Sequence, residues 1–457
     1  MKQEAIVIGG GLAGTEAALQ LAKRGIKVKL YEMKPIKYSE AHSNKNLAEI
    51  VCSNSFKSNL LTNACGLLKE ELRRLGSFLI QTADNTSVPA GQALAVDREE
   101  FAKKVTELIE KEENIELIRE EIKEIPKEVP VIIATGPLTS EALAEDIKTF
   151  LGEKQLYFYD AAAPIIEKES IDFNIAFYGN RYEQEREKEE NIELWKKRIE
   201  NEEKSYINLP MNKEEYESFY NELINAEVVT LHDFEKREIF EGCMPIEIMA
   251  KRGIDTLRYG PLKPVGFTDK RTGYRPYAIV QLRQDNKEAS LYNMVGFQTN
   301  LKFPEQKRVF RKIPGLENAN FLKYGVMHRN TYIQSTKLLN KKYQLKNNKN
   351  IYFAGQITGV EGYVESISSG LVAGINLANQ ILGKEELVLP KETVIGALAD
   401  YISTEREDFQ PMNANFGILP QLPEKIKDKK QKYSKLAEIS LQKISTIEVQ
   451  NLSKINR

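Results

Sequence analysis

The chain has 457 residues, of which 41% are hydrophobic and 29% are charged, and its formal net charge is −1. This length is enough for two or three domains. The near-neutral charge excludes a polycation, so any nucleic-acid contact must come from local basic patches. No apolar run reaches the roughly 18 residues that a membrane-spanning helix needs, so we expect no membrane partner.

The cysteine content indicates the compartment. The sequence contains three cysteines, Cys52, Cys65 and Cys243. They are too few for a disulfide framework and lack the spacing of zinc ligands, so we expect a reducing, cytoplasmic location and no metal site. The chain enters a predicted strand at once, so no signal or transit peptide is expected. Cys65 precedes an apolar helix start and is interpreted as a buried structural thiol.

The strongest motif lies in the first thirty-odd residues. Residues 5–8 form an apolar run that predicts a buried strand, and residues 15–24 have apolar positions at helical spacing. The segment between them carries the glycine spacing of a dinucleotide-binding fingerprint, with the sequence Gly9, Gly10, Gly11, Leu12, Ala13 and Gly14. In that motif the first glycine allows the turn, the second admits a pyrophosphate and the third lets helix and strand pack closely.

An acidic residue completes this motif. The predicted second strand, residues 26–31, ends at Glu32, whose carboxylate would accept hydrogen bonds from ribose hydroxyls. The helix N-terminus would face the diphosphate, because its free N–H groups favour an anion. We therefore expect a bound adenine dinucleotide; the alternative is a glycine turn in an unrelated α/β protein.

The following segments alternate between helices, strands and loops. Residues 34–60 form a polar stretch that we expect to wrap around a site. The pattern predicts helices at about 66–75, 99–111, 213–225 and 367–382, a loop at 87–95, and strands at 115–118, 121–125, 131–134 and 350–354.

The strand at 131–134 ends in Thr135 and Gly136, a pattern that recurs in flavoproteins where the chain leaves the first domain. After the strand at 350–354, Gly355, Gln356, Gly362 and Tyr363 lead into a helix whose N-terminus would lie beside a flavin. We therefore predict a Rossmann-like, glutathione-reductase-like α/β domain for FAD, made of residues 1–155 and 326–457. An α+β domain, residues 156–325, would be inserted in it, with a charged surface stretch at about 183–204, and the 424–457 tail is basic.

A basic segment suggests a nucleic-acid surface. Residues 250–283 contain eight basic and two acidic residues, with tyrosine and phenylalanine interleaved. Cations for phosphates and rings for unstacked bases are typical of RNA contacts, although a self-solvating loop has the same composition. Cys52 and Cys243 lie in polar or Gly/Pro-flanked loops, and a cysteine acts as a nucleophile only as the thiolate.

Several motifs together resemble one family. The chain is similar to the bacterial folate- and FAD-dependent tRNA uracil-C5 methyltransferases, and its fingerprint and residues 355–366 resemble the wider family of GidA-type flavoproteins. The resemblance rests on residues 8–18, 51–57, 90–98, 240–247, 259–266 and 355–366.

The resemblance implies a reaction and its residues. It implies methylation at C5 of uridine 54 in the tRNA T-loop, with carbon from 5,10-methylenetetrahydrofolate and electrons from NAD(P)H through FAD. Cys243 matches the family's nucleophile, which adds to uracil C6, and Cys52 its second cysteine, a candidate base. The residues expected to bind cofactor are Gly9, Gly10, Gly11, Leu12, Ala13, Gly14, Glu32, Arg98, Thr135, Gly136, Gly355, Gln356, Gly362 and Tyr363. Those expected to bind substrate are His328, Arg329, Arg252, Arg258 and Lys263.

Other functions stay open at this point. The same active-site motifs would serve an enzyme that acts on ribosomal RNA. A GidA-like enzyme of the tRNA wobble position would need a long C-terminal helical domain, for which we expect this chain to be too short. Outside RNA modification, the main alternative is a small-molecule flavin oxidoreductase, and a non-catalytic RNA-binding flavoprotein is more distant.

Overall fold

A computed structural model of the chain describes residues 3–152, 156–182, 186, 190–200, 205–229, 244–325, 327–406 and 409–455. Among these residues, no helix combines the length and the apolar character that a membrane crossing requires. The described helices are Leu12–Ala22, Ala64–Arg74, Phe78–Asn85, Arg98–Lys111, Glu141–Leu151, Ile192–Glu200, Lys213–Asn225, Ile246–Ala250, Thr256–Tyr259, Phe303–Phe310, Ser335–Leu338, Tyr363–Leu382, Val394–Tyr401 and Lys429–Ile455, with short 3-10 turns at Lys168–Ser170, Gln356–Thr358 and Phe416–Ile418.

A six-stranded sheet lies at the centre of the first part of the fold. Its strands run in the order Gln344–Leu345, Asn348–Phe353, Val131–Ile133, Glu4–Ile8, Lys27–Tyr31 and Ile115–Ile118. All neighbours pair in parallel except the first two, which are antiparallel. The central strand Val131–Ile133 is fully buried, as expected for an apolar run in a parallel sheet. The predicted Rossmann-like α/β fold is confirmed.

Two helices that start at this sheet approach each other unusually closely. Gly370 and Gly374 of Tyr363–Leu382 face Ala13 and Ala17 of Leu12–Ala22. A Cβ atom on Gly370 would lie 2.2 Å from the carbonyl oxygen of Ala13, and one on Gly374 would lie 2.8 Å from that of Ala17. Only glycine permits this backbone contact, which brings the two helix N-termini to the same edge of the sheet.

A second sheet is antiparallel throughout and has its own hydrophobic core. Its strands run in the order Phe177–Tyr178, Tyr206–Met211, Ala278–Gln284, Leu291–Met294, Ile165–Glu167 and Phe321–Lys323. Two chain segments connect it with the parallel sheet, and they pair with each other as the antiparallel ribbon Leu156–Ala161 and Met327–Tyr332. The two connections therefore support each other through backbone hydrogen bonds.

Two local predictions, the loop at 87–95 and the strand at 121–125, were wrong. Residues 87–95 are not a plain loop, because Ser87–Val88 and Ala93–Val96 pair across a turn and Ser55–Ser58 adds a third strand. Residues 121–125 are not a strand, although Ile125 is buried. The backbone N–H of Ile125 donates to the Asp146 carboxylate at 2.7 Å instead of pairing with the sheet edge.

The helix predictions held with shifted ends. The helices expected at 66–75 and 99–111 are observed as Ala64–Arg74 and Arg98–Lys111. The helix predicted to begin at 367 begins at Tyr363, because Gly362, with φ of 121°, supplies the turn before it. In the charged 183–204 stretch, Ile192–Glu200 is helical, and residues 183–185, 187–189 and 201–204 lie outside the described residues.

A buried carboxylate joins three helices of the fold. Glu71 of Ala64–Arg74 accepts hydrogen bonds from the backbone N–H groups of Val394 and Ile395, at 2.8 and 2.9 Å, and from the Ser440 hydroxyl at 2.5 Å. It thereby caps the N-terminus of Val394–Tyr401 and holds the C-terminal helix Lys429–Ile455. Burial raises the pKa of Glu71 to about 7.

This pKa predicts a pH dependence of stability. The native pKa of about 7 lies above the ordinary value of 4.5, so the folded state binds the proton more tightly than the unfolded state. The contribution of Glu71 is therefore present below pH 4.5 and falls, by on the order of 3 kcal/mol, as the pH rises through 7. Urea unfolding should show that the free energy of unfolding falls more between pH 5 and pH 8 for wild type than for Glu71→Gln. Glu16, whose pKa burial also raises, affects both proteins alike. Equal pH slopes would contradict the assignment.

Candidate active site

The glycine fingerprint forms one wall of a cleft at the carboxyl edge of the parallel sheet. A Cβ atom on Gly14 would lie 1.8 Å from the carbonyl oxygen of Gly9, so helix and strand touch there. A Cβ atom on Gly11 would meet no atom within 4 Å, so its backbone borders open space. These two environments fit a dinucleotide whose diphosphate approaches Gly11 and the N-terminus of Leu12–Ala22.

Glu32 lies in the same cleft, at the end of the strand Lys27–Tyr31. One carboxylate oxygen accepts a hydrogen bond from the backbone N–H of Gly10 at 2.8 Å, and the other accepts one from the backbone N–H of Lys34 at 2.9 Å. Each oxygen keeps a lone pair for a further donor, such as a ribose hydroxyl. Thr135 also lines this nucleotide cleft. The arrangement fits the adenosine half of FAD.

A second cleft adjoins the first, and Leu138 lines both. We call it the reaction cleft. Its walls come from segments far apart in the sequence and include Cys52, Ser53, Lys57, Arg283, Gln298, Asn330, Gln356, Gly362, Tyr363 and Glu365. The predicted residues Cys52, Gln356, Gly362 and Tyr363 are thus brought together.

The backbone around Cys52 is held by Tyr363. The Tyr363 hydroxyl accepts hydrogen bonds from the N–H groups of Cys52 and Ser53, at 2.8 and 3.2 Å. Burial raises the pKa of Tyr363, so the phenol stays neutral. The half-buried Cys52 thiol donates to the Ala161 carbonyl, with an S···O distance of 3.6 Å. Cys52 is therefore a cysteine without a disulfide that lines the reaction cleft.

Arg98 also holds the loop that carries Cys52. Its guanidinium donates to the carbonyl oxygens of Ile50 and Val51, at 3.2 and 3.1 Å, and forms an ion pair with Asp285 at 2.9 Å. Asp285 follows the strand Ala278–Gln284 of the antiparallel sheet, so this contact joins the two sheets at the cleft. The second terminal nitrogen of Arg98 is buried and has no hydrogen-bond partner.

Two lysines and a second cysteine near the cleft have structural roles. Lys69 is fully buried and donates to the carbonyl oxygens of Phe56 and Ser58, at 2.6 and 2.7 Å. These bonds hold the irregular strand Ser55–Ser58, in which Lys57 adopts a φ of 62°. The Lys57 ammonium lies 3.6 Å from Glu365. Cys65 is buried, which confirms the prediction, and burial raises the pKa of its thiol to about 11, so the thiol stays protonated.

The structure describes the predicted nucleophile and the predicted substrate-binding residues only in part. Cys243 lies outside the described residues. His328 and Arg329 belong to the strand Met327–Tyr332, where they pair with Asp160 and Tyr159, and their side chains lie outside the described part of the structure. Their neighbour Asn330 is buried and lines the reaction cleft.

The basic segment forms a separate surface. Arg252 and Lys263 are exposed. Arg258 is partly neutralised, since it contacts Asp255 at 2.6 Å and stacks on Tyr277 at 3.5 Å from the ring centre. None of Arg252, Arg258 and Lys263 is among the described residues that line the reaction cleft.

The amino-acid composition of residues 250–283 predicts the wrong environment for Arg283, which lines the reaction cleft. Arg283 was counted in the basic surface, yet it is buried within the strand Ala278–Gln284. The available signal was its position inside an otherwise buried apolar strand, where an arginine needs a specific reason.

Among the described residues, no cluster of His, Cys, Asp or Glu side chains is arranged to hold a metal ion.

The fingerprint and the terminal acid at the nucleotide cleft, with the second helix beginning at the adjoining reaction cleft, define a dinucleotide-binding α/β protein of the flavoprotein type. Residues 4–385 match the family model described as GIDA, glucose inhibited division protein A. A methylenetetrahydrofolate--tRNA-(uracil-5-)-methyltransferase TrmFO of Acetivibrio thermocellus is 60% identical over 427 residues, which are 93% of this chain and 94% of that protein. The chain belongs to the GidA family and, within it, to the methylenetetrahydrofolate--tRNA-(uracil-5-)-methyltransferases.

Further comparisons agree with this assignment. A protein of the same name from Caldicellulosiruptor bescii is 58% identical over 440 residues, which are 96% of this chain and 97% of that protein. The solved structure of Aquifex aeolicus GidA superposes with a TM-score of 0.65 at 17% sequence identity. The match covers 99% of this chain and 76% of that one, and it supports the fold.

Two glycine substitutions should separate cofactor binding from folding. Gly11→Val adds a side chain where the protein leaves open space, so the variant should fold but lose FAD. Gly14→Val would drive its side chain into the Gly9 carbonyl and should destabilise the fold itself. Flavin absorbance after gel filtration and circular dichroism measure the two effects. Full FAD occupancy in a folded Gly11→Val protein would overturn the site.

Proposed function

We infer that this protein methylates C5 of a tRNA uridine, with 5,10-methylenetetrahydrofolate as carbon donor and NAD(P)H as reductant through FAD. The observation that carries this function is the near-full-length identity of 55–60% to proteins with that named activity. The geometry supports it, because a free thiol and a buried guanidinium lie in a cleft that adjoins the nucleotide cleft. The ribosomal RNA and small-molecule alternatives are not favoured.

The finer parts of the function are proposals. We propose uridine 54 of the T-loop as the target and the bacterial cytoplasm, where tRNA, folate and NAD(P)H occur together, as the location. The basic surface of Arg252, Arg258 and Lys263 is proposed to contact RNA phosphates, which is supported by exposed Tyr259 and Tyr274 beside it. His328 and Arg329 are proposed to bind substrate near Asn330.

The residues proposed for the chemistry divide the work between two thiols. Uracil C5 becomes nucleophilic only after a group adds to C6, and we assign this addition to the Cys243 thiolate. Cys52 is assigned the removal of the C5 proton, which is supported by its position in the reaction cleft. The carbon unit and the hydride that complete the methyl group are supplied through bound FAD. Tyr363 and Arg98 hold the Cys52 loop in place.

The function is tested by a defined methylation assay. Purified protein with carbon-labelled methylenetetrahydrofolate, NAD(P)H and an unmodified tRNA transcript should transfer label to a single uridine, which nuclease digestion and mass spectrometry locate. Omission of folate should abolish transfer, and S-adenosylmethionine should not replace it. Methylation driven by S-adenosylmethionine alone would refute the function. Label on a wobble uridine would refute the proposed position.

The two cysteines should differ in covalent trapping. RNA with 5-fluorouridine at the target has no C5 proton to lose, so an adduct at C6 should persist through denaturation. Wild type and Cys52→Ala should both be trapped, whereas Cys243→Ala should not. Both variants should lose roughly 10²–10⁴-fold in methylation and keep FAD. Trapping of Cys243→Ala but not of Cys52→Ala would reverse the two roles.

A further inference from the structure

The reaction cleft contains a buried cation that none of the steps above uses. Arg283 is 8% exposed and lines the cleft near the end of the strand Ala278–Gln284. An arginine remains protonated in proteins, so a full positive charge is buried there. Burial of an ion is strongly unfavourable unless an opposite charge or hydrogen bonds compensate it.

Neutral oxygens hold this guanidinium in one orientation. Its Nε donates to the Asn54 side-chain oxygen at 2.9 Å, and one terminal nitrogen, Nη2, donates to the Ser53 hydroxyl at 2.5 Å. The Asn54 amide cannot turn, because its nitrogen donates to the carbonyl oxygens of Val96 and Gln284, at 3.0 and 2.7 Å. The other terminal nitrogen, Nη1, makes no hydrogen bond within the described part of the chain.

The charge of Arg283 is not matched by a carboxylate. The nearby carboxylate of Asp285 forms its ion pair with Arg98, at 2.9 Å. Arg283 forms no ion pair with any residue that the structure describes. The Asp285 carboxylate is therefore engaged by Arg98, and Arg283 keeps one donor nitrogen, Nη1, without a partner among the described residues.

The cleft that Arg283 lines is also connected with the segment that follows the proposed nucleophile. The antiparallel sheet contributes Arg283 to the cleft, and Gln298 lines the same cleft. The Gln298 carbonyl accepts from Ile246 at 2.7 Å, and the described chain resumes at Met244, directly after Cys243. The segment that follows the proposed nucleophile is thus fastened to the cleft that contains Arg283.

We propose that Arg283 is a further catalytic residue, which donates a hydrogen bond from Nη1 to the O4 carbonyl oxygen of the target uracil. This assignment rests on the proposed function. When a thiolate forms its bond to C6, the electron pair of the C5–C6 double bond moves toward C4, and O4 takes up negative charge. The fixed guanidinium stabilises this enolate oxygen without transferring a proton or an electron.

The proposal is tested by changing both the donor and the acceptor. Arg283→Gln should lower the single-turnover methylation rate by about 10²-fold on an RNA with uridine at the target. On the same RNA with 4-thiouridine there, the variant should lose only a few-fold, because sulfur accepts hydrogen bonds weakly. Asn293→Ala, which removes a weak 3.5 Å contact to Arg283 but keeps the charge, should behave as wild type on both RNAs.

Flavin content, flavin midpoint potential and a second variant distinguish this catalytic role from a role in cofactor binding or in folding. Flavin content and flavin midpoint potential should be unchanged in Arg283→Gln; a shifted potential, with equal losses on the two RNAs, would assign the charge to the cofactor and overturn the proposal. If Arg283→Gln does not fold, Arg283→Lys keeps the charge without the planar fork and should show the same difference between the two RNAs. Equal losses in that variant would also overturn it. Failure of wild type to methylate uridine would instead refute the function.

Discussion

The close contact between two helices determines how this protein forms its site. Gly370 and Gly374 allow the helix Tyr363–Leu382 to lie directly against the backbone of Ala13 and Ala17. A larger residue at either glycine would separate the helices and move Tyr363, which begins the second one. Since the first helix starts at the nucleotide cleft and the second at the reaction cleft, this contact sets the distance between the two clefts.

The second constraint is the polar contact between the two sheets at Cys52. The loop that carries Cys52 is held by Tyr363 and Arg98 from one part of the fold, and Ser53 beside it is held by Arg283 from the other. Each bond is buried or partly buried, where hydrogen bonds are stronger and an unpaired partner is costly. The relative position of the sheets and the position of the thiol therefore depend on the same few side chains.

Local sequence patterns predicted the elements that depend on neighbours in the chain. The strand Glu4–Ile8, the glycine turn and the helix after it follow from residues within one motif, and Glu32 was located by its position at the end of the second strand. The predictions failed where pairing with a distant segment decides. Residues 87–95 became a hairpin because Ser55–Ser58 pairs with it, and residues 121–125 lack a partner strand at the sheet edge.

The sequence by itself therefore determined the fold class, the dinucleotide fingerprint and the family, because these depend on spacing along the chain and on motif identity. The tertiary structure alone decided what surrounds Cys52. Its backbone partner Tyr363 is 311 positions away, and Arg283, which belongs to a basic segment by composition, is buried 230 positions from Ser53. Hydrogen bonds over such distances arise from packing of separate sheets, and no periodicity along the chain encodes them.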